Sequence, residues 1–196
     1  MSRGPAKQFD IDTVLEKAMN LFWQKGYAAT SMAELVDELG IGKKSLYDTF
    51  GSKRDLYVKA LRRYSQRGTS FALQKLNETG SHADRIEQLM RSYVAMNAGP
   101  DSKGCMVGCC MGEFGDRDPE IAGIALRYLD ILERAFLQVL QAAKLKGEIS
   151  ESTNMEDLAQ LCIATVQGLS LIGRSETGTE RTDAIVRATA AMLRKA

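Results

Sequence analysis

Apolar residues in this chain recur three and four positions apart, and the runs are separated by short stretches rich in Gly, Ser, Asp and Asn. That period lays a single apolar stripe along a helix, so the pattern predicts an all-α protein of about nine helices, with no strand-like alternation to rival it. Val14, Ala18, Leu21 and Phe22 make the first stripe, behind an Asp10 cap and a Phe9–Val14 staple, with Trp23 and Tyr27 completing that small core or its rim. Met32, Leu35, Val36 and Leu39 make the second, and Ser31 with Glu34 three residues on reads as its capping box. Gly40 stands where this helix must stop with a positive φ, and Ile41 can then tuck back between helices. From a Gly42 cap, Lys43 to Phe50 forms a short helix. Leu46 and Phe50 share its inner face, while Lys43, Lys44, Ser45, Tyr47 and Asp48 fall on or beside the wet one.

The pattern continues in the same way to the end. Ser52 with Asp55 repeats the capping signature, and the helical period then runs through Leu76 until Gly80-Ser81 breaks it. His82, the single histidine, lies beside that break and is expected at an exposed loop or cap position. Residues 83–98 are amphipathic and end at Gly99-Pro100; a short apolar segment, 104–114, follows. Asp118-Pro119 is a cap followed by an N1 proline and opens a long helix to about Lys146. The last two helices are expected from Met155, capped by Asn154, to about Leu171, and from Thr182 to about Arg194.

Within this series, Thr30 to Phe50 reads as helix, tight turn and second helix, the spacing of a DNA-reading helix-turn-helix. The ordered set GYAATS, ELVDELGIG, SLYDTF and GSKRDL resembles the N-terminal DNA-binding domain of the TetR/AcrR family of one-component transcriptional regulators. The resemblance covers roughly a quarter of the chain and is silent on the ligand. It implies a basic arm over 1–8, a helix-turn-helix domain over 9–55, a connecting helix over 56–80 and an effector-binding and dimerisation domain over 81–196. It also implies a homodimer on a palindromic operator in double-stranded DNA, most often as a repressor that a small-molecule effector releases; a thiol-reactive signal is the other trigger, suggested by the cysteines of this chain. No cofactor is implied.

Bulk charge does not announce a nucleic acid: Lys+Arg 26 stands against Asp+Glu 25. Its distribution is more telling, with 12 basic and 8 acidic residues up to Arg67 and 14 and 17 beyond it, a mildly basic front on a mildly acidic back. There is no signal-like apolar region at the start and no run of membrane-spanning length, so the expected location is cytoplasmic. On DNA, Lys44 is the first candidate for a base edge, since a lysine on that exposed face can reach guanine O6 or N7; Lys43 and Ser45 stand beside it. Tyr47 and Lys53 match family positions that meet phosphate, and Thr30 and Ser31, at a helix start, are expected to do the same. Two departures from the family matter. Lys44 replaces what is often a small residue, so the operator cannot be borrowed from relatives, and the Asp48 carboxylate would repel phosphate.

Four cysteines complete the candidate chemistry: Cys105, Cys109 and Cys110 in GCMVGCCMG, and Cys162, which could approach from another helix. Three readings stand open: thiols as pliable core filler, a thiol switch, or a soft-metal site that lacks a histidine partner. Nothing nearby in the sequence supplies a cation for a reactive thiol. The family resemblance implies an effector pocket, placed by position at Tyr93, Met96, Cys105, Met106, Cys109, Phe114, Tyr128 and Gln167. It likewise implies a four-helix dimer interface from the last two helices, with Leu161, Val166, Leu169, Ile185, Ala188 and Met192; the same stripes could instead close the monomer core. The rival class is a cytosolic thiol-dependent enzyme or soft-metal-binding protein built on Cys105, Cys109 and Cys110. It lacks a Cys-x-x-Cys pair, a catalytic histidine pairing and a phosphate loop, so the chain is not read as an enzyme.

Overall fold

The computed structural model describes residues 9–99, 102–174 and 178–196. The arm expected over 1–8 lies outside them. The described residues form nine helices and no strand: α1 Ile11–Lys25, α2 Met32–Leu39, α3 Lys43–Phe50, α4 Lys53–Leu76, α5 His82–Met96, α6 Met106–Phe114, α7 Pro119–Leu145, α8 Met155–Ile172 and α9 Gly178–Leu193. The starts are set locally, as their residues require. Asp10 accepts from the amides of Asp12 and Thr13, and Ser31 with Glu34 and Ser52 with Asp55 form reciprocal boxes. Asp118 caps α7 ahead of Pro119, and Asn154 caps α8. Gly40 takes φ 65°, the left-handed turn that a side chain would resist, and Ile41 is buried behind it.

Helices α1 to α3 close a small core on the first two turns of α4. Leu35, Leu46, Leu56 and Leu61 are fully buried there, each contributing about 2 kcal/mol of apolar burial. α4 runs on without interruption from the reading domain into the body, where it packs on α7, while α5, α8 and α9 complete the bundle. Two expectations from the sequence differ here. α9 begins one turn earlier than Thr182. His82 is buried, not exposed: its Nδ1 meets Glu148 Oε2 at 3.1 Å and its Nε2 meets the Leu193 carbonyl at 2.9 Å, which ties the start of α5 to the end of α9. A residue 111 positions away supplies that second partner, so no local pattern could have disclosed it.

Candidate nucleic-acid interface and its link to the body

α3 is only eight residues long and is held by two buried side chains, Leu46 and Phe50, which press its inner face onto α2 and α4. The opposite face carries Lys43, Lys44, Ser45, Tyr47 and Asp48, all exposed. Neither Lys43 nor Lys44 is engaged in an ion pair among the described residues, so both ammonium groups are available to a partner. Ser31, exposed at the start of α2, keeps its hydroxyl proton while its oxygen accepts from the Glu34 amide. Lys53, first residue of α4, sits with Nζ 4.3 Å from the centre of the Tyr27 ring, a cation–π contact that orients the ammonium at the helix start. These groups share one end of the molecule and suit a polyanion whose phosphates meet helix starts while side chains of α3 enter a groove.

Thr30 is a correction. Its side chain is fully buried, and its hydroxyl donates to the Gly26 carbonyl at 2.6 Å, tying the α1–α2 loop together. It is part of the scaffold and its hydroxyl does not face phosphate.

The reading domain is joined to the body through α6 and the start of α7. The Trp23 indole N–H donates to the Gly104 carbonyl at 2.9 Å, just before α6. At the other end of α6, the Glu113 carboxylate accepts the amides of Tyr27 at 3.0 Å and Ala28 at 2.6 Å. Phe114 fills the angle between them, its ring centre 5.1 Å from Tyr27 and 5.4 Å from Tyr57. Aromatic pairs of this kind add roughly 0.5–1.5 kcal/mol each beyond burial. Beside them Arg54 forms a two-pronged pair with Asp118 at 2.6 and 2.7 Å and reaches Glu120 at 3.0 Å. The guanidinium holds the Asp118 carboxyl down at about 2.

The expected effector residues do not gather into one cavity. Tyr128 lines a cleft of about 130 Å³ between α4 and α7, with Arg62, Ser65, Thr69 and Arg127. Tyr93, Cys105 and Met106 are buried nearby, and Gln167 approaches α6 from α8. Met96 is 55% exposed, because it lies on the outer face of α5. Phe114 belongs to the joint with the reading domain. The dimer set also divides. Val166 and Leu169 turn inward and are buried in the monomer, whereas Leu161, Ala188 and Met192 face out and Ile185 is half-buried. Leu171, 68% exposed at the end of α8, joins the outer stripe and was missed. Residues ten apart on a helix differ by about 80° in facing, so Leu161 alone does not place Leu171; which neighbours cover the end of α8 decides its exposure.

The thiols separate by burial. Cys105 caps α6 with its sulfur accepting from the Gly108 amide at 3.4 Å, Cys162 is alone in the α8 core, and Cys110 is buried; burial pushes all three thiols up, Cys110 and Cys162 to about 12. Cys109 is only half-buried, and Arg174, from the end of α8, donates to its sulfur from Nη1 at 3.3 Å. The cation that the neighbouring sequence lacks is supplied from 65 positions away. Among the described residues no group of three His, Cys, Asp or Glu side chains could hold a metal ion.

The fold and this face define a helix-turn-helix regulator with a helical body. Residues 14–60 match the bacterial regulatory proteins of the tetR family, and residues 83–191 match the tetracyclin repressor-like C-terminal domain. The chain is 32% identical over 180 residues to the HTH-type transcriptional regulator YezE of Bacillus subtilis, covering 91% of this chain and 93% of that protein. It is also 32% identical over 185 residues to the HTH-type transcriptional repressor ComR of Escherichia coli, covering 92% and 87%. A cysteine-substituted form of the regulator CifR, solved with 26-bp operator DNA, superposes with a TM-score of 0.84 at 26% identity, over 96% of this chain and 98% of that one. The chain belongs to the TetR family and is a DNA-binding transcriptional regulator.

Proposed function

We propose that the protein is a cytoplasmic homodimeric repressor, not an enzyme, that occupies a roughly palindromic operator and leaves it when the body domain receives a signal. The observation that carries this reading is the double attachment of the α6 segment to the reading domain, at Gly104 just before it and at Glu113 within it, with an α3 face whose lysines make no ion pair among the described residues. A change of α6 position then alters where α3 sits. In a dimer the two recognition helices must enter successive major grooves about 34–36 Å apart, so a small rotation of each arm spoils the fit. Leu161 and Leu171 on α8 and Met192 on α9 are the exposed apolar side chains of the last two helices that a second copy would cover. Lys44 would read base edges, with Lys43 and Ser45 beside it, while Ser31, Tyr47 and Lys53 set register on phosphate.

The test is a titration of the reduced protein onto DNA flanking its own gene, against random DNA of equal length, with its mass in solution measured in parallel. Saturation at two chains per site, with preference of at least 100-fold over random DNA, supports the reading. A monomer, or equal affinity for both DNAs, refutes it.

A further inference from the structure

The outward face of α3 has a carboxylate at its middle. Leu46 and Phe50, the two buried anchors of the helix, stand two residues before and two residues after Asp48, the one acidic residue of α3. At about 100° per residue, Asp48 points about 160° away from each of them, opposite the centre of the buried side. Lys44, one turn earlier, lies about 40° from it and Ser45 about 60°, whereas Tyr47 and Lys43 fall about 100° and 140° away, on the flank. Asp48 is exposed and makes no hydrogen bond or ion pair among the described residues. Lys44 is in the same state, so the two opposite charges, although one turn apart, are not spent on each other.

A carboxylate in that place has few partners on a duplex. Every phosphate repels it, and so do guanine O6 and N7 and thymine O4, which are all acceptors. The major-groove edge offers two donors, the N6 amino group of adenine and the N4 amino group of cytosine. On adenine the amino group stands beside the N7 acceptor, which turns a lone pair toward a carboxylate. Cytosine carries no acceptor of its own at that edge, and the acceptors of its partner guanine suit the ammonium of Lys44. Four residues of helix span about 6 Å, less than two stacked base steps of about 3.4 Å each, so the two side chains reach the same base pair or adjacent ones.

We propose that Asp48 is a second specificity-determining residue of α3, accepting a hydrogen bond from the N4 amino group of a cytosine in each operator half-site, on or next to the G·C pair that Lys44 reads. The same carboxylate lowers affinity for sequences without a cytosine there, because it then faces only phosphates and acceptors. The two charges thus select in two ways, by attraction at the matched position and by repulsion elsewhere. The inference rests on the reading of Lys44 as a base contact but has readouts of its own.

The experiment mixes the intact protein with a library of random duplexes, recovers and reads the bound sequences, and measures affinity for the resulting consensus by fluorescence anisotropy. Asp48→Ala and Asp48→Asn are run beside it; neither loses a contact among the described residues, and circular dichroism checks that both keep the helical content. The wild type should enrich a palindrome with one cytosine fixed in each half. Asp48→Ala should lose that one preference and keep the others, bind the consensus about fivefold or more weakly per half-site, and bind random DNA more tightly. Asp48→Asn should move the enriched base at that position from cytosine to adenine, since an amide pairs with adenine N6 and N7. A consensus with N4-methylcytosine there, which puts a methyl group in place of the amino hydrogen facing the groove, should weaken the wild type at least as much and leave Asp48→Ala unaffected. Identical enriched sequences for wild type and Asp48→Ala, or a wild type indifferent to N4-methylcytosine, overturn the inference and leave the operator reading standing. A wild type that enriches no sequence overturns both.

Discussion

Lys44→Ala and Lys53→Ala separate reading from holding, and the structure sets the size of each effect. Lys44 projects from the exposed face of α3 and has no ion pair among the described residues to lose, so its truncation should leave the fold unchanged. A good base contact is worth about 1–3 kcal/mol of discrimination, and a dimer makes it twice, so cognate affinity should fall by about 2–6 kcal/mol, roughly 30-fold to 10⁴-fold. Random DNA should lose only the contribution of one ammonium per subunit. Lys53 lies at the start of α4 over the Tyr27 ring; as the proposed phosphate contact, its loss should weaken both DNAs alike. Two phosphate contacts per dimer correspond to a change of about 2 in the slope of log K against log salt concentration. Fluorescence anisotropy over a salt series on both DNAs measures all four quantities. Equal losses for Lys44→Ala on cognate and random DNA would refute base reading, and an unchanged salt slope for Lys53→Ala would refute the phosphate contact.

Other consequences are open to direct measurement. Thr30→Val keeps the shape but leaves the Gly26 carbonyl without its donor, so stability to urea should fall by about 1–3 kcal/mol with no change in the salt slope of DNA binding. His82→Leu removes the buried bridge between Glu148 and the Leu193 carbonyl and should cost a similar amount, read as earlier unfolding of α9 by hydrogen exchange. Because Arg54 depresses the Asp118 carboxyl to about 2, the stabilisation it brings is present above the unfolded value of about 4 and is lost as pH falls through about 2. Asp118→Asn, which keeps the cap, should therefore be less stable than the parent at pH 6, with the gap closing between about pH 4 and 2 in acid denaturation. Leu161→Arg with Leu171→Arg should halve the mass in solution if those residues face a second copy, and leave the helical content unchanged.

What the sequence determined alone lies within a turn or two of helix. Ser31 with Glu34, Ser52 with Asp55, Asp118 with Pro119 and Asn154 announce helix starts because a cap reaches only two or three residues along the chain. Leu46 and Phe50 mark the inner face of α3 for the same reason, and so the exposed lysines follow. The ordered motifs along the first sixty residues made the class of protein legible because the reading domain is built almost wholly from such local devices.

Only the tertiary structure decided how far-apart segments share their groups. A period of 3.6 puts Leu161 and Val166 about 140° apart round α8, with Leu169 between them, but does not say which side is covered; that depends on where α5, α7 and α9 pack on α8. Thr30 resembles a phosphate ligand until its hydroxyl is seen spent on Gly26, and His82 resembles a loop residue until α9 arrives over it. Arg174 reaches Cys109 from 65 positions away, and Glu113 reaches Tyr27 and Ala28 from 86 and 85. Helix pattern is a property of neighbours in the chain, whereas the surroundings of a thiol or a carboxylate are properties of neighbours in space, and packing alone brings those together.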